Sequence, residues 1–183
     1  SGRSFDSSSA YFDLPAGAYT FTVSRSDMGT GSFGFRVLAL DQAQALATDQ
    51  EVVVELDQTA GTAVRKLHVD ADSDLLFQAI APAEYGVSWR LINALGIAVD
   101  SGSAYYDGSR KTYAAGDYYL ILQGARNTAQ PMPVNFRVVR AQTLVTALDI
   151  DQLEQAQVLH AGDRYEFKFS TAQAGRFLLD SLT

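Results

Sequence analysis

The phrase VDADSD sets three carboxylates, Asp70, Asp72 and Asp74, at alternate positions over a candidate turn. Oxygen donors arranged this way can converge on a hard cation, and Ca2+ is the ion such a set takes. An EF-hand loop begun at Asp70 needs glycine at its sixth position and glutamate at its twelfth. Leu75 and Ala81 stand there, so that motif is excluded. The plainer reading of the triplet is a solvated hairpin turn.

Tyrosine carries a second kind of chemistry. Tyr105 and Tyr106, in SGSAYYD, fall near a loop and are the best candidates for an exposed aromatic platform under a sugar ring. Tyr113, Tyr118 and Tyr119 are also available, but alternation along a strand turns one of each adjacent pair into a core. Core or rim packing is the plainer reading for all five.

Catalysis finds little to work with. His68 and His160 are the only histidines, and neither has a metal-pair spacing or a nucleophile nearby in sequence. No G-x-S-x-G phrase marks a nucleophile elbow. Glutamate is scarce and the acids fall mostly in turns, which does not suit a glycosidase pair. Cysteine is absent, which removes thiol chemistry, disulfides and cysteine-based zinc sites. Gly29 and Gly31, in DMGTGSFGF, resemble a phosphate loop only superficially, because no helix follows them. The expectation is a non-enzyme with no cofactor, calcium at Asp70, Asp72 and Asp74 being the one ion to consider.

The elements that must position these residues are strands. Hydrophobic residues make up 47% of the 183, and nine Tyr and ten Phe favour sheet over helix. Net charge is −7, and the 14 Lys and Arg are scattered. Without a basic patch to neutralise phosphates, nucleic acid is not an expected partner. An anionic membrane surface repels such a chain, and no apolar run reaches the ~20 residues that span a bilayer. The opening SGRSFDSSSA and the closing FLLDSLT read as cuts inside something longer.

Within the chain, one phrase is written twice. SSSAYFD at 7–13 returns as SGSAYYD at 101–107, and LPAGAYTFTV at 14–23 as YAAGDYYLIL at 113–122. Gly17 thus matches Gly116, and Tyr19 matches Tyr118. FRV at 35–37 matches 136–138, and AQALAT at 43–48 matches AQTLVT at 141–146. Order is kept and the spacings stay between 94 and 101, which describes an internal repeat of roughly 100 residues. The second copy carries five extra residues around GSRKT, 108–112. VRKLHVDADSDLLFQAI at 64–80 has its counterpart in DRYEFKFSTAQAGRFLLDSL at 163–182, where STAQAG replaces the aspartate triplet. Residues 43–140 then form one complete unit, 1–42 the latter half of a preceding one, and 141–183 the first half of a following one.

Inside the complete unit, strands are expected at 51–56, 64–69, 75–80, 87–93, 97–100, 117–123 and 133–139. Each is short, rich in β-branched or aromatic residues, and bounded by Gly, Pro, Asp, Asn or Ser. In VSWRLIN the alternation puts Val87, Trp89 and Leu91 on one face, expected to lie between two sheets. DIDQLEQAQVL at 149–159 has helical spacing, but its counterpart TDQEVVVELDQ is β-branched, and strand or loop ranks above helix.

W-x-L-x-N-x-x-G at 89–96, followed by AAGDYYLILQG at 114–124 and NFRVV at 135–139, resembles the bacterial pre-peptidase C-terminal domain and related repeats of giant secreted proteins. The resemblance implies a jelly-roll-like β-sandwich, secreted or surface-borne, that accompanies an enzyme or builds a stalk without catalysing anything.

The expected fold is therefore all-β: tandem antiparallel, jelly-roll-like β-sandwich units of about 100 residues. The expected function is a non-catalytic structural segment of a large extracellular bacterial adhesin, stalk or filament, at the cell surface or beyond it. Its partners are then neighbouring repeats, or like subunits end to end. The alternative is a carbohydrate- or ligand-binding accessory module of a secreted enzyme, which an exposed aromatic patch at Tyr105 and Tyr106 favours, with a surface glycan as partner.

Overall fold

The computed structural model describes residues 14–22, 35–56, 61–81, 85–124, 130–152, 154–155 and 160–180. The first copy of the repeated phrase at 7–13 and the glycines at 29 and 31 lie outside these residues, as does much of the 149–159 segment.

A single 3-10 turn, Leu40–Gln42, leads into nine strands: β1 Gln44–Leu46, β2 Val52–Leu56, β3 Thr62–Val69, β4 Ser73–Ala79, β5 Ser88–Asn93, β6 Ala98–Ser103, β7 Lys111–Tyr113, β8 Gly116–Gln123 and β9 Met132–Ala141. They form two sheets, ordered β1-β3-β8-β5-β6 and β2-β9-β4-β7. The pairs β2–β9, β3–β8, β4–β7 and β5–β6 trace one long folded-back hairpin. Pairing of β4 with β9 and of β5 with β8 rolls that hairpin into a two-sheet sandwich with jelly-roll connections.

Alternation explains which side chains meet inside. Leu67 and Val69 of β3, Trp89 and Leu91 of β5, and Tyr118, Leu120 and Leu122 of β8 share one core cluster with Val54, Leu56, Leu75, Phe77, Val134, Phe136 and Val138 of the other sheet. Each large side chain buried this way contributes roughly 1.5–3 kcal/mol. Val87, Trp89 and Leu91 are all buried, as the sequence pattern expects. At the end of β5 the Asn93 side chain accepts from the N–H groups of Leu95 and Ile97, and Gly96 takes a φ of 73°. That is why the phrase W-x-L-x-N-x-x-G ends in glycine.

Three features differ from expectation. The pairing of β1 with β3 is parallel within an otherwise antiparallel sandwich. Strands β1 and β7 have three residues each, too short for any alternation to mark them. The DADSD turn is also shorter than its residue types suggest. Strand β4 begins at Ser73, so Asp74 lies in the sheet opposite Thr112.

After the sandwich, β10 Thr143–Ala147 and β11 Arg164–Lys168 form a second parallel pair. Leu46 pairs with Leu67 in the first and Leu144 with Tyr165 in the second, so each partner lies 21 residues further along the chain. A side-chain contact also recurs. The Tyr118 hydroxyl donates to the Ala114 carbonyl at 2.8 Å, and the Tyr19 hydroxyl to the Pro15 carbonyl at 2.6 Å. Residues 14–22 and 169–180 contain no strand. Among the described residues no helix is long and apolar enough to cross a membrane.

Candidate functional site

Two places gather polar or aromatic chemistry: a tyrosine-lined hollow at one end of the sandwich, and a junction between the sandwich and β10–β11.

The hollow is built by the loop between β6 and β7, which holds SGSAYYD. Ala104 is buried and donates its N–H to the Val87 carbonyl at 2.9 Å. Three residues on, Asp107 accepts the Ala79 N–H at 2.9 Å, and the Gly108 N–H donates to the Phe77 carbonyl at 2.7 Å. Held at both ends, the loop turns Tyr105 and Tyr106 outward. Their rings meet at right angles, with centroids 4.9 Å apart, and Tyr85 packs against Tyr105 at 4.8 Å. The three side chains line an open hollow of about 380 Å3, with Gly86 and Gly102 on its floor and Ser88 and Ser103 among its lining.

Beneath the floor lies Trp89. A Cβ on Gly102 would stand 3.0 Å from the indole ring, so the close approach requires glycine there. The indole stacks on Phe77 at 4.8 Å, and Phe77 in turn on Phe136 at 5.2 Å. The indole nitrogen is buried and has no hydrogen-bond partner among the described residues.

The junction is centred on Arg110, which the five-residue insertion supplies. Its Nε donates to Asp74 Oδ2 at 2.9 Å, and Nη2 reaches the same oxygen. Nη1 donates to the carbonyls of Gln142 at 3.2 Å and Gly162 at 3.0 Å, and Nη2 to Thr143 Oγ1 at 2.6 Å. Asp74 also accepts from the Thr112 hydroxyl at 2.5 Å. The Thr112 and Arg110 hydrogen bonds together hold the Asp74 carboxyl below its ordinary range. Asp163 accepts the Gln142 N–H at 2.8 Å, and that bond, aided by His160, lowers its carboxyl as well. Gly162, at φ 83°, sits against the side chains of Leu76 and Ala141.

The aspartate triplet is dispersed. Asp70 is exposed beside His68 Nε2 at 3.3 Å, Asp72 accepts the Ala115 N–H at 2.9 Å, and Asp74 belongs to Arg110 and Thr112. Among the described residues no three acidic or histidine side chains form a group that can hold a metal ion. His68 Nδ1 lies 2.6 Å from Asp117, whose other oxygen meets Lys66 at 2.8 Å. Of the remaining tyrosines, Tyr113 and Tyr118 are buried edge to face, and the Tyr113 hydroxyl donates to Asp100. Burial and that bond raise the Tyr113 phenol. Tyr119 is half-buried.

Tyr105 and Tyr106 lie in the loop between β6 and β7 and are exposed. Tyr85 joins them from 20 residues earlier, through a fold no local pattern reveals. Arg110 carried one signal, the insertion itself.

No family model matches the chain, and no curated protein matches it. Among solved structures the chain is similar to the pre-peptidase C-terminal domain of collagenase from Bacillus anthracis. The identity is 16% over 53% of this chain and 94% of that domain, with a TM-score of 0.42.

Proposed function

We propose that this chain is a non-catalytic structural segment of a large extracellular or surface-borne bacterial protein, such as an adhesin, stalk or filament. In this reading it is built from tandem sandwich units of the pre-peptidase C-terminal type. One observation carries the reading. Beyond β9 the chain again makes a parallel strand pair with partners 21 residues apart, as it did on entering the sandwich. The phrases AQALAT and AQTLVT introduce the two pairs, and Arg110 ties the second to the first unit. A new unit that starts where the last one ends, in contact with it, gives an array length and mechanical continuity. Its partners are neighbouring units, or like subunits end to end. A surplus of acidic charge keeps such an array soluble.

Stretching the 183-residue chain by its two ends in a force spectrometer tests this. A structural unit should yield in one cooperative event, releasing the residues from β1 to β9 together. Gradual extension without a rupture event would count against it.

A further inference from the structure

We infer that the hollow walled by Tyr85, Tyr105 and Tyr106 is a binding site for a neutral oligosaccharide chain, independent of any structural role. Sugar rings present an apolar C–H face and a rim of hydroxyls, so their receptors combine exposed aromatic faces with uncharged hydrogen-bonding groups. Both are here. Tyr85 is 74% exposed and Tyr106 60% exposed, while Tyr105 holds them at an angle to one another. Among the described residues none bonds to the three phenol groups. The Ser103 oxygen accepts the Tyr105 N–H at 3.2 Å, which leaves its own proton to donate.

Charge narrows the ligand. Among the described residues no ionisable group other than the phenols lines the hollow, and the chain as a whole carries −7, which disfavours uronic or sulfated glycans. Shape narrows it again. A proline-rich peptide needs successive slots between parallel rings, whereas Tyr105 stands edge-on to both neighbours and leaves a single corner. The volume, about 380 Å3, is near the lower end of ligand pockets, which suits one or two rings of a chain that continues into solvent. Because Asp107, Gly108 and Ala104 already pin the loop, little ordering remains to oppose binding.

Trp89, the only tryptophan, lies under Gly102 at the floor and reports on occupancy. The test titrates cellohexaose and chitohexaose into the full chain, following Trp89 fluorescence and calorimetry. Saturable binding of at least one probe is expected, weakened about tenfold or more by Tyr106→Ala or Tyr85→Ala and largely kept by Tyr106→Phe. Far-UV circular dichroism identifies any variant that fails to fold, and Tyr106→Phe then decides between stacking and the hydroxyl. Three results overturn the inference: no binding of either hexasaccharide at millimolar concentration, binding indifferent to both alanine variants, or tighter binding of a proline-rich decapeptide at the same tyrosines. Self-association that Tyr106→Ala abolishes would also overturn it, by making the patch a contact between copies.

Discussion

Arg110 lays its guanidinium along the carboxylate of Asp74, Nε standing 2.9 Å from Oδ2, and spends its remaining donors on a different part of the chain. Those donors reach Gln142, Gly162 and Thr143, so one side chain spans β4, the start of β10 and the approach to β11. Charge-assisted bonds of this kind are the strong ones, and both side chains are less than a third exposed. Arg110→Ala should therefore make opening of the β10–β11 pair easier by about 1–3 kcal/mol. Hydrogen exchange is the measurement. Amides of 143–147 and 164–168 should lose protection, while those of β5 and β8 keep theirs.

The same junction should respond to acid. Asp74 and Asp163 both titrate lower in the folded chain than in the unfolded one. A depressed carboxyl stabilises above its unfolded pKa, about 4, and that contribution is lost as pH falls through the folded value. Protection of β10 and β11 should hold steady from neutral pH to about 5 and fall below about 4. Asp74→Asn should flatten that fall. An unchanged profile in Asp74→Asn would remove Asp74 from the account.

Calcium should matter little. The carboxylates of Asp70, Asp72 and Asp74 face three different sets of partners, and a cation that bound only the folded chain would raise its Tm. Millimolar Ca2+ is expected to leave the Tm unchanged. A rise that Asp72→Ala abolishes would show that the triplet can regroup.

Trp89 is the test of the core. Trp89→Ala should cost about 3–5 kcal/mol as a large-to-small change. Gly102→Ala should cost about 1–3 kcal/mol by overpacking, because the new methyl meets the indole at 3.0 Å. Denaturant unfolding measures both, and native Trp emission should be that of a buried indole.

The sequence carried the sandwich well and its junction poorly, for a physical reason. Alternation in VSWRLIN or DYYLILQ is a local signal, since one buried face imposes period two on every strand that borders it. Strands β1 and β7 span three residues and cannot show a period. Parallel pairing of β1 with β3 depends on which edge of the rolled hairpin is open, which only the assembled sheet determines. Asp74 reads as a turn residue by type, yet its neighbours Leu75, Leu76 and Phe77 are all buried and draw it into β4. The exposure of Tyr105 and Tyr106 is legible because a loop phrase holds them. Tyr85 and Arg110 acquire their roles only through distant partners.

The last prediction concerns what lies outside the sandwich. Strand β11 has β10 as its only neighbour among the described residues, whereas its counterpart β3 is paired on both sides, with β1 and with β8. Val145, Phe167, Phe169, Leu178 and Leu179 are exposed in the same part of the sequence, and a strand edge accompanied by exposed apolar side chains invites a further strand. Residues 14–22 match the sequence of β8, and there Leu14, Tyr19 and Phe21 are exposed as well. In the complete unit Leu67 pairs with Tyr118. Leu46 and Leu144 mark Tyr165 as the equivalent of Leu67, and the shared carbonyl bond marks Tyr19 as the equivalent of Tyr118. Pairing of Tyr165 in one chain with Tyr19 in the next is the expected register. Such a contact is heterologous and does not close, so it extends into a chain of subunits. Sedimentation velocity of the purified chain should show concentration-dependent association, and cysteines placed at Ala18 and Glu166, which face each other in this register, should cross-link between molecules. A monomer at all concentrations, or cross-links only within one molecule, would defeat the end-to-end arrangement.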